Sequence, residues 1–182
     1  MSEVTVGTRY AKSLIDLAQE QNIVDAVKAD MDLFIHTLKA NPELKAVLGN
    51  PVVAQGKKTN ILDAIFAGKV NNATIGFFKL MVDKGRGEVL YTTATEYVKL
   101  YNAKMHITKA VVVSASPLSA SNQDVIAREL QNAIGGTIQL HAKVDPALIG
   151  GFVLTVGDRQ LDTSVLSSLK KLKKDFAAQA VL

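Results

Sequence analysis

The chain has 182 residues, of which 48% are apolar and 21% charged, so it can bury one large core or two small ones and has no signature of disorder. It contains no Cys, which excludes a disulfide framework, a thiolate metal site and a cysteine nucleophile and fits a reducing compartment. Aromatic residues make up only 5%, which disfavours stacking on bases or sugars, and the net charge of +4 selects no partner by itself. We expect neither a signal peptide nor a membrane span, because no segment has the required apolar pattern.

The first hundred residues carry apolar side chains at three- and four-residue steps, which predicts helices. Asn41-Pro42 offers a cap and a first-turn proline to a short third helix over residues 43–48. The predicted stripes are Val6, Tyr10, Leu14 and Leu17 in the first helix; Val24, Val27, Met31, Phe34 and Leu38 in the second; Ile61, Leu62, Ile65 and Phe66 in the fourth; and Leu90, Ala94, Tyr97, Tyr101 and Met105 in the sixth.

The fifth predicted helix differs from the others because residues 73–82 are apolar almost all round. Asn71-Asn72 offers it a cap, and Gly85 ends it. Such a helix is either buried on several sides or presents an exposed binding face. Both alternatives make it central to the N-terminal part of the chain.

From Ile107 onward the pattern changes to that of strands mixed with helices. The run from Ala110 to Val113 predicts a buried strand, and residues 121–124 resemble a capping box that opens a helix ending at Gly135-Gly136. Residues 137–144 alternate as a half-buried strand does, Gly157-Asp158 predicts a tight hairpin, and Asp162 can cap a last helix. We therefore predict an α+β fold, mainly α: a six-helix bundle over residues 1–105 and a small C-terminal α/β domain over residues 106–182.

The sequence offers no set of residues suited to catalysis, to a metal or to a cofactor. His36, His106 and His141 fall at no ligand spacing. Asp145, Asp158 and Asp162 stand where turns and helix caps favour Asp. Gly150-Gly151 with Gly157 lacks the Lys-Ser or Lys-Thr of a phosphate-binding loop. We expect no catalytic residue and no cofactor.

The last helix carries an apolar stripe among four lysines, Lys170, Lys171, Lys173 and Lys174. This pattern is typical of helices that dock partners or membrane surfaces, although a solvated basic face beside a core stripe gives the same pattern. The terminal segment from Ala177 to Leu182 is small and apolar, which predicts that a partner covers it.

Nearly the whole chain resembles one family, the delta subunits of F-type ATP synthase, called the oligomycin-sensitivity-conferring protein in mitochondria. The strongest stretch is VDPALIGGFVLTVGDRQLDTSVLSSLKKL, and RYAKSLIDLA, KGRGEVL and EYVKLY match in the same order. The chain departs from the family at Leu166 and Ser168, where basic residues are common. The positions that carry the C-terminal signature are Asp145, Gly150, Gly151, Gly157, Asp162 and Ser164.

The resemblance implies two partners. In the family, a groove between the first and fifth helices binds the N-terminal segment of an alpha subunit, and the C-terminal domain meets the b subunits of the peripheral stalk. The small Ala11 and Ala18 would leave room for the guest helix. The residues expected to bind the alpha subunit are Tyr10, Ala11, Leu14, Ala18, Ile75, Phe78 and Val82. Those expected to bind the b subunits are Val165, Leu169, Leu172 and Phe176.

The resemblance further implies a non-catalytic stator connector, present in one copy per complex and required to couple proton flow to ATP synthesis. It would lie on the cytoplasmic face of the cell inner membrane, held there only through the complex, without nucleic acid. The alternative from a different class is a basic RNA-binding or ribosome-associated helical module, since helical bundles with Lys-rich faces bind RNA.

Overall fold

The computed structural model describes residues 3–179, with side chains through residue 176. The chain forms two compact units, a helical unit up to Asn102 and an α/β unit from Ala103 onward. The division lies in the last turn of the sixth helix, shortly before the boundary at residue 105 that the sequence predicts. The predicted fold class, mainly helical with a small sheet, is confirmed.

From residue 3 onward the helical unit contains six α-helices, and the 3-10 turn Gly87–Val89 leads into the last of them. Phe34, Phe66 and Phe78 form its aromatic centre, with ring centroids 4.5 to 6.1 Å apart. All three rings are fully buried, so they supply a large share of the apolar area removed from water. The helices are α1 (Glu3–Glu20), α2 (Val24–Ala40), α3 (Pro42–Gly49), α4 (Gln55–Phe66), α5 (Asn72–Asp83) and α6 (Leu90–Lys104).

Three details of the helical unit differ from the sequence prediction. Leu17 is 39% exposed, because Ile15 and Ala18 take the inward positions of α1. Asn41 does not cap α3 through its side chain, which instead donates to the carbonyl of Thr37 at 3.0 Å and closes α2. Met105 lies beyond the end of α6 and is exposed, so it does not belong to the core stripe.

Asp30 is a buried carboxylate that fixes the start of α5 against α2. One oxygen accepts from the backbone N–H of Asn71 at 2.8 Å and from the hydroxyl of Thr74 at 2.6 Å. The Asn71 side chain accepts from the N–H of Ala73 and caps α5, as predicted. Two donors near a helix N-terminus thus compensate for the burial of the charge.

Replacing Asp30 with Ala is expected to lower the free energy of unfolding of the helical unit by about 1–3 kcal/mol, because buried donors lose their acceptor. Asp32→Ala is the matched control. Asp32 pairs with Lys28 on the surface, at 2.8 Å, and its loss is expected to change stability by less than about 0.5 kcal/mol. Urea unfolding of both variants tests this, and equal midpoints would contradict it.

Tyrosines on α6 hold α2 in place. The hydroxyl of Tyr101 donates to a carboxylate oxygen of Asp25 at 2.6 Å, and that of Tyr97 donates to the carbonyl of Val24 at 3.3 Å. The hydrogen bond to Asp25 raises the pKa of Tyr101 above its usual value. Burial, followed by the nearby Tyr101 and the acidic side chains, raises the pKa of Tyr97 as well. Both phenols therefore remain protonated donors at neutral pH.

The α/β unit is a four-stranded sheet with order β2-β1-β3-β4. β1 pairs in parallel with β2, while the β1–β3 and β3–β4 pairs are antiparallel. The last pair is the hairpin predicted at Gly157-Asp158. The elements are β1 (Ile107–Ser114), α7 (Ala120–Ile134), β2 (Thr137–Val144), β3 (Phe152–Val156), β4 (Arg159–Asp162) and α8 (Val165–Gln179).

Only a small core lies under α7. Ala110, Val112 and Leu154 are its buried residues, and the apolar side chains of α7 pack there without any residue of α7 being fully buried. The cap of α7 is Ser119, whose hydroxyl accepts from the N–H of Asn122, so the helix begins before the predicted capping box.

Candidate docking surfaces

The residues with catalytic potential remain apart in the structure. His36, His106 and His141 are all exposed and lie on α2, before β1 and on β2. In the range 3–179, no group of His, Asp and Glu side chains is arranged to hold a metal ion. Within the same range, no helix combines the length and apolar content needed to cross a membrane.

Four of the C-terminal signature residues, Gly150, Gly151, Asp162 and Ser164, lie where α8 begins against the sheet, and we call their contacts the clasp. Gly151 has φ +75°, and a Cβ there would lie 2.3 Å from the carbonyl oxygen of Thr163, so only glycine fits. The N–H of Val165 donates to the carbonyl of Gly150, and that of Thr163 to the carbonyl of Phe152, both at 3.0 Å. The glycines therefore permit close backbone approach and do not form a phosphate cradle.

The aspartates of the signature complete this clasp. Asp162 accepts from the N–H of Ser164 at 2.9 Å and from the hydroxyl of Ser167 at 2.6 Å, while the buried Ser164 hydroxyl accepts from the N–H of Ser167. Hydrogen bonds from Ser167 and Ser164 lower the pKa of Asp162 below its usual value. Asp145 accepts from the N–H of Ala147 and starts the 3-10 turn Pro146–Leu148. The cap predicted at Asp162 is thus shared with Ser164.

Most residues expected to bind an alpha subunit lie in the core of the helical unit. Ala11, Leu14, Ala18, Phe78 and Val82 are each at most 1% exposed. Small Ala11 and Ala18 permit close packing inside the bundle, so a guest helix would meet mainly the side chains that cover them. That their size leaves room for a guest stays a prediction. Of the seven residues, only Tyr10 and Ile75 are partly exposed.

The surface between α1 and α5 is lined by the neighbours of those buried residues. The rings of Tyr10 and Phe77 meet edge to face, with centroids 6.4 Å apart. Leu17 lies two turns after Tyr10 on α1, and Leu80, 48% exposed, lies one turn after Phe77 on α5. We call these four residues the α1–α5 strip. The guanidinium of Arg86 lies 5.9 Å from the centre of the Tyr10 ring, which helps to fix that side chain.

The apolar side chains of α8 form a second exposed surface. Val165, Leu169, Leu172 and Phe176, which we call the α8 stripe, are between 41% and 67% exposed. The clasp holds the start of α8 against the sheet. The segment from Ala177 to Leu182, predicted to need a partner, lies outside the described side chains.

A third apolar surface escaped the sequence prediction. A shallow groove of about 390 Å³ runs between α7 and the β3–β4 hairpin. It exists because α7 connects the parallel pair β1 and β2 and packs over β2, which leaves the inner side of β3 and β4 uncovered. The groove is lined mainly by Val125, Ile126, Leu130, Phe152, Leu154 and Leu161.

The family of this chain follows from comparison with known proteins. Residues 6–176 match the family described as ATP synthase delta (OSCP) subunit. The chain belongs to this family. As a delta-family chain it is a subunit of F-type ATP synthase and serves ATP synthesis and ion transport; the RNA-binding alternative is not supported.

Individual delta-family relatives match over nearly their full length. The ATP synthase subunit delta of Cytophaga hutchinsonii is 38% identical over 181 residues, covering 100% of this chain and 99% of that protein. The one from Brevibacillus brevis is 31% identical over 175 residues, covering 96% and 98%. A chain in the cryo-EM structure of the Toxoplasma gondii mitochondrial ATP synthase hexamer is 25% identical, with a TM-score of 0.70 over 94% of this chain and 97% of that one.

Proposed function

We propose that this delta-family chain is a non-catalytic connector of the ATP synthase stator. Its helical unit binds the N-terminal helix of an alpha subunit, and its α/β unit binds the b subunits of the peripheral stalk. The observation that carries the proposal is the presence of a separate exposed apolar surface on each unit, without a catalytic constellation among the described residues. One copy per complex serves this role.

The α1–α5 strip is the proposed binding site for the alpha subunit. The strip offers a ring and a leucine on α1 and a ring and a leucine on α5. Such a surface can accept a guest helix whose apolar side chains recur at three- and four-residue steps. Tyr10 keeps its expected role at this surface. Ile75 is also partly exposed but lies outside the four residues of the strip, so its expected contact stays a prediction. The buried members of the expected set, such as Phe78 and Leu14, support the strip from below by fixing the two helices.

The α8 stripe is the proposed binding site for the b subunits. Its four residues are largely exposed on a helix whose N-terminus is fixed by the clasp, so they are available without rearrangement of the sheet. The residues expected to bind the b subunits from the sequence, Val165, Leu169, Leu172 and Phe176, all remain in this proposal.

Binding at both sites serves a mechanical purpose. The catalytic head must stay still while the central shaft turns, so each joint must outlast repeated loading. A nanomolar joint corresponds to about 12 kcal/mol and to slow release. The chain handles no substrate, and it reaches the cytoplasmic face of the inner membrane only through the complex.

A direct test measures binding of a synthetic peptide, containing about the first 20 residues of the alpha subunit from the same organism, by isothermal titration calorimetry. Leu80→Asp is expected to weaken binding about 10- to 100-fold, because a charge replaces an exposed apolar anchor of the strip. Val52→Asp is the matched control, since Val52 is 88% exposed in the α3–α4 connection and is expected to have no effect.

The same variants can be tested for coupling in membranes depleted of this subunit. Wild-type protein and Val52→Asp are expected to restore proton-driven ATP synthesis, whereas Leu80→Asp restores less of it at equal protein concentration. If the peptide binds wild-type protein and Leu80→Asp equally well, the proposed binding site is wrong. If no alpha peptide binds and ATP synthesis needs no added subunit, the stator role itself is wrong.

A further inference from the structure

The spacing of the α8 stripe is that of a coiled-coil seam. Val165, Leu169, Leu172 and Phe176 follow one another at steps of four, three and four residues, which are the d, a, d and a positions of successive heptads. Apart from the half-buried Leu166 at an e position, the described side chains of α8 outside the a and d positions are polar, so the stripe is narrow. Helices that lie on membranes carry a wider apolar face, so this geometry favours a partner helix over a lipid surface.

The charges of α8 are unevenly placed around this seam. Lys173 follows Leu172 and takes an e position, directly beside the stripe, whereas Lys174 takes the f position on the opposite side. Lys170 and Lys171 occupy b and c positions, farther from the seam. Asp175 is at a g position on the other flank. The four lysines therefore do not surround the stripe equally, and Lys173 is the one placed to meet a partner residue.

Among the described residues the lysines of α8 form no short ion pair, although Lys170 lies near enough to Asp162 to help lower the pKa of that carboxyl. In the described part of the chain, no ion pair joins Lys170, Lys171, Lys173 or Lys174 to an acidic side chain, although all four are exposed. With four lysines and one aspartate, the segment from residue 170 to residue 175 has a net charge of +3. Two copies of α8 packed side by side would repel each other, so a second copy of this chain is a poor occupant.

We propose that the α8 stripe forms a coiled-coil seam with one helix of net negative charge, and that a carboxylate of that helix faces Lys173. This inference rests on the proposed function, because the b subunit is the partner proposed for α8. It adds the chemistry by which that helix is chosen: apolar residues at heptad spacing, flanked by acidic side chains. The charge at the e position sets orientation and register, while the apolar seam supplies most of the affinity.

The test compares two variants with the same change of charge. Full-length protein carrying Lys173→Glu or Lys174→Glu is titrated with the soluble C-terminal helical segment of the b subunit from the same organism, at low and at high salt. Lys173→Glu is expected to weaken binding about 3- to 10-fold at low salt, and Lys174→Glu less than about 2-fold. High salt should reduce the difference between the variants, because screening shortens the range of the interaction.

Three further binding measurements distinguish failure of this inference from failure of the proposed function on which it rests. If Leu169→Asp abolishes binding but Lys173→Glu and Lys174→Glu behave alike, the b subunit still binds α8 and the inference about Lys173 is overturned. If wild-type protein does not bind the b segment at all, the proposed function and the inference both fail. Binding of wild-type protein to anionic phosphatidylglycerol vesicles, lost equally in both lysine variants, would also overturn the coiled-coil seam.

Discussion

Replacing Phe78 with Ala is expected to lower the free energy of unfolding of the helical unit by about 3–5 kcal/mol, because a large side chain is lost from a close-packed centre. Phe78 is 1% exposed, and its ring lies 4.5 Å from that of Phe34 and 6.1 Å from that of Phe66. The cavity left behind would be bordered by rings on two sides. We expect this change to be among the most damaging in the helical unit.

The chain provides both the probe and the control for this prediction. All four tyrosines, Tyr10, Tyr91, Tyr97 and Tyr101, lie in the helical unit and there is no Trp, so tyrosine emission during urea unfolding reports on that unit alone. Phe77→Ala changes the adjacent, half-buried ring and is expected to cost about 1 kcal/mol. Phe77→Ala should instead weaken binding of the peptide from the alpha subunit. Equal stability losses in the two variants would contradict the assignment of Phe78 to the core and of Phe77 to the strip.

Replacing Gly151 with Ala is expected to destabilise the α/β unit by roughly 2–5 kcal/mol. Two causes act together: the residue has φ +75°, which strains any L side chain, and the new Cβ would lie 2.3 Å from the carbonyl oxygen of Thr163. The backbone must shift to relieve the contact, which disturbs the clasp at the start of α8. Hydrogen exchange of β3, β4 and α8 should become faster while that of α1–α6 stays unchanged.

Gly157→Ala separates the two causes. Gly157 also has positive φ, at +57°, but a Cβ there meets no atom within 4 Å. Its substitution is expected to cost only the backbone strain, about 1–2 kcal/mol. If Gly157→Ala proves as damaging as Gly151→Ala, the contact with Thr163 contributes nothing and the clasp is less important than we infer.

Much of the fold could be predicted because local pattern and final structure agree. The two-residue connection at Gly157-Asp158, flanked by alternating apolar residues, specifies a hairpin whatever the rest of the chain does. The switch from helical to strand periodicity near Ile107 is equally local. The cap at Asn71 follows from side-chain chemistry and from the helix that it starts.

The binding surfaces could be predicted only in part, because burial depends on neighbours that a single helix does not reveal. In α1, apolar residues occur on more than one face, and the packing of the other helices decides that Ile15 is inside and Leu17 outside. Phe77 and Phe78 are adjacent and chemically identical, so the sequence does not show which of them faces the core. That depends on how α5 is oriented against the other helices, which buries Phe78 and leaves Phe77 in the strip. The groove beside α7 depends on the strand order β2-β1-β3-β4, which no local pattern encodes.

The attachment of α8 determines how force would enter the α/β unit. α8 follows β4, an edge strand paired only with β3, so a pull on the helix would tend to peel β4 away one hydrogen bond after another. Such peeling needs little force, since the bonds fail in sequence and do not share the load. The clasp lies at the point where peeling would begin. Val165, the first residue of α8, donates to Gly150 just before β3, and Thr163, between β4 and α8, donates to Phe152, the first residue of β3. Tension on α8 would therefore bypass the edge strand β4 and reach the inner strand β3 first.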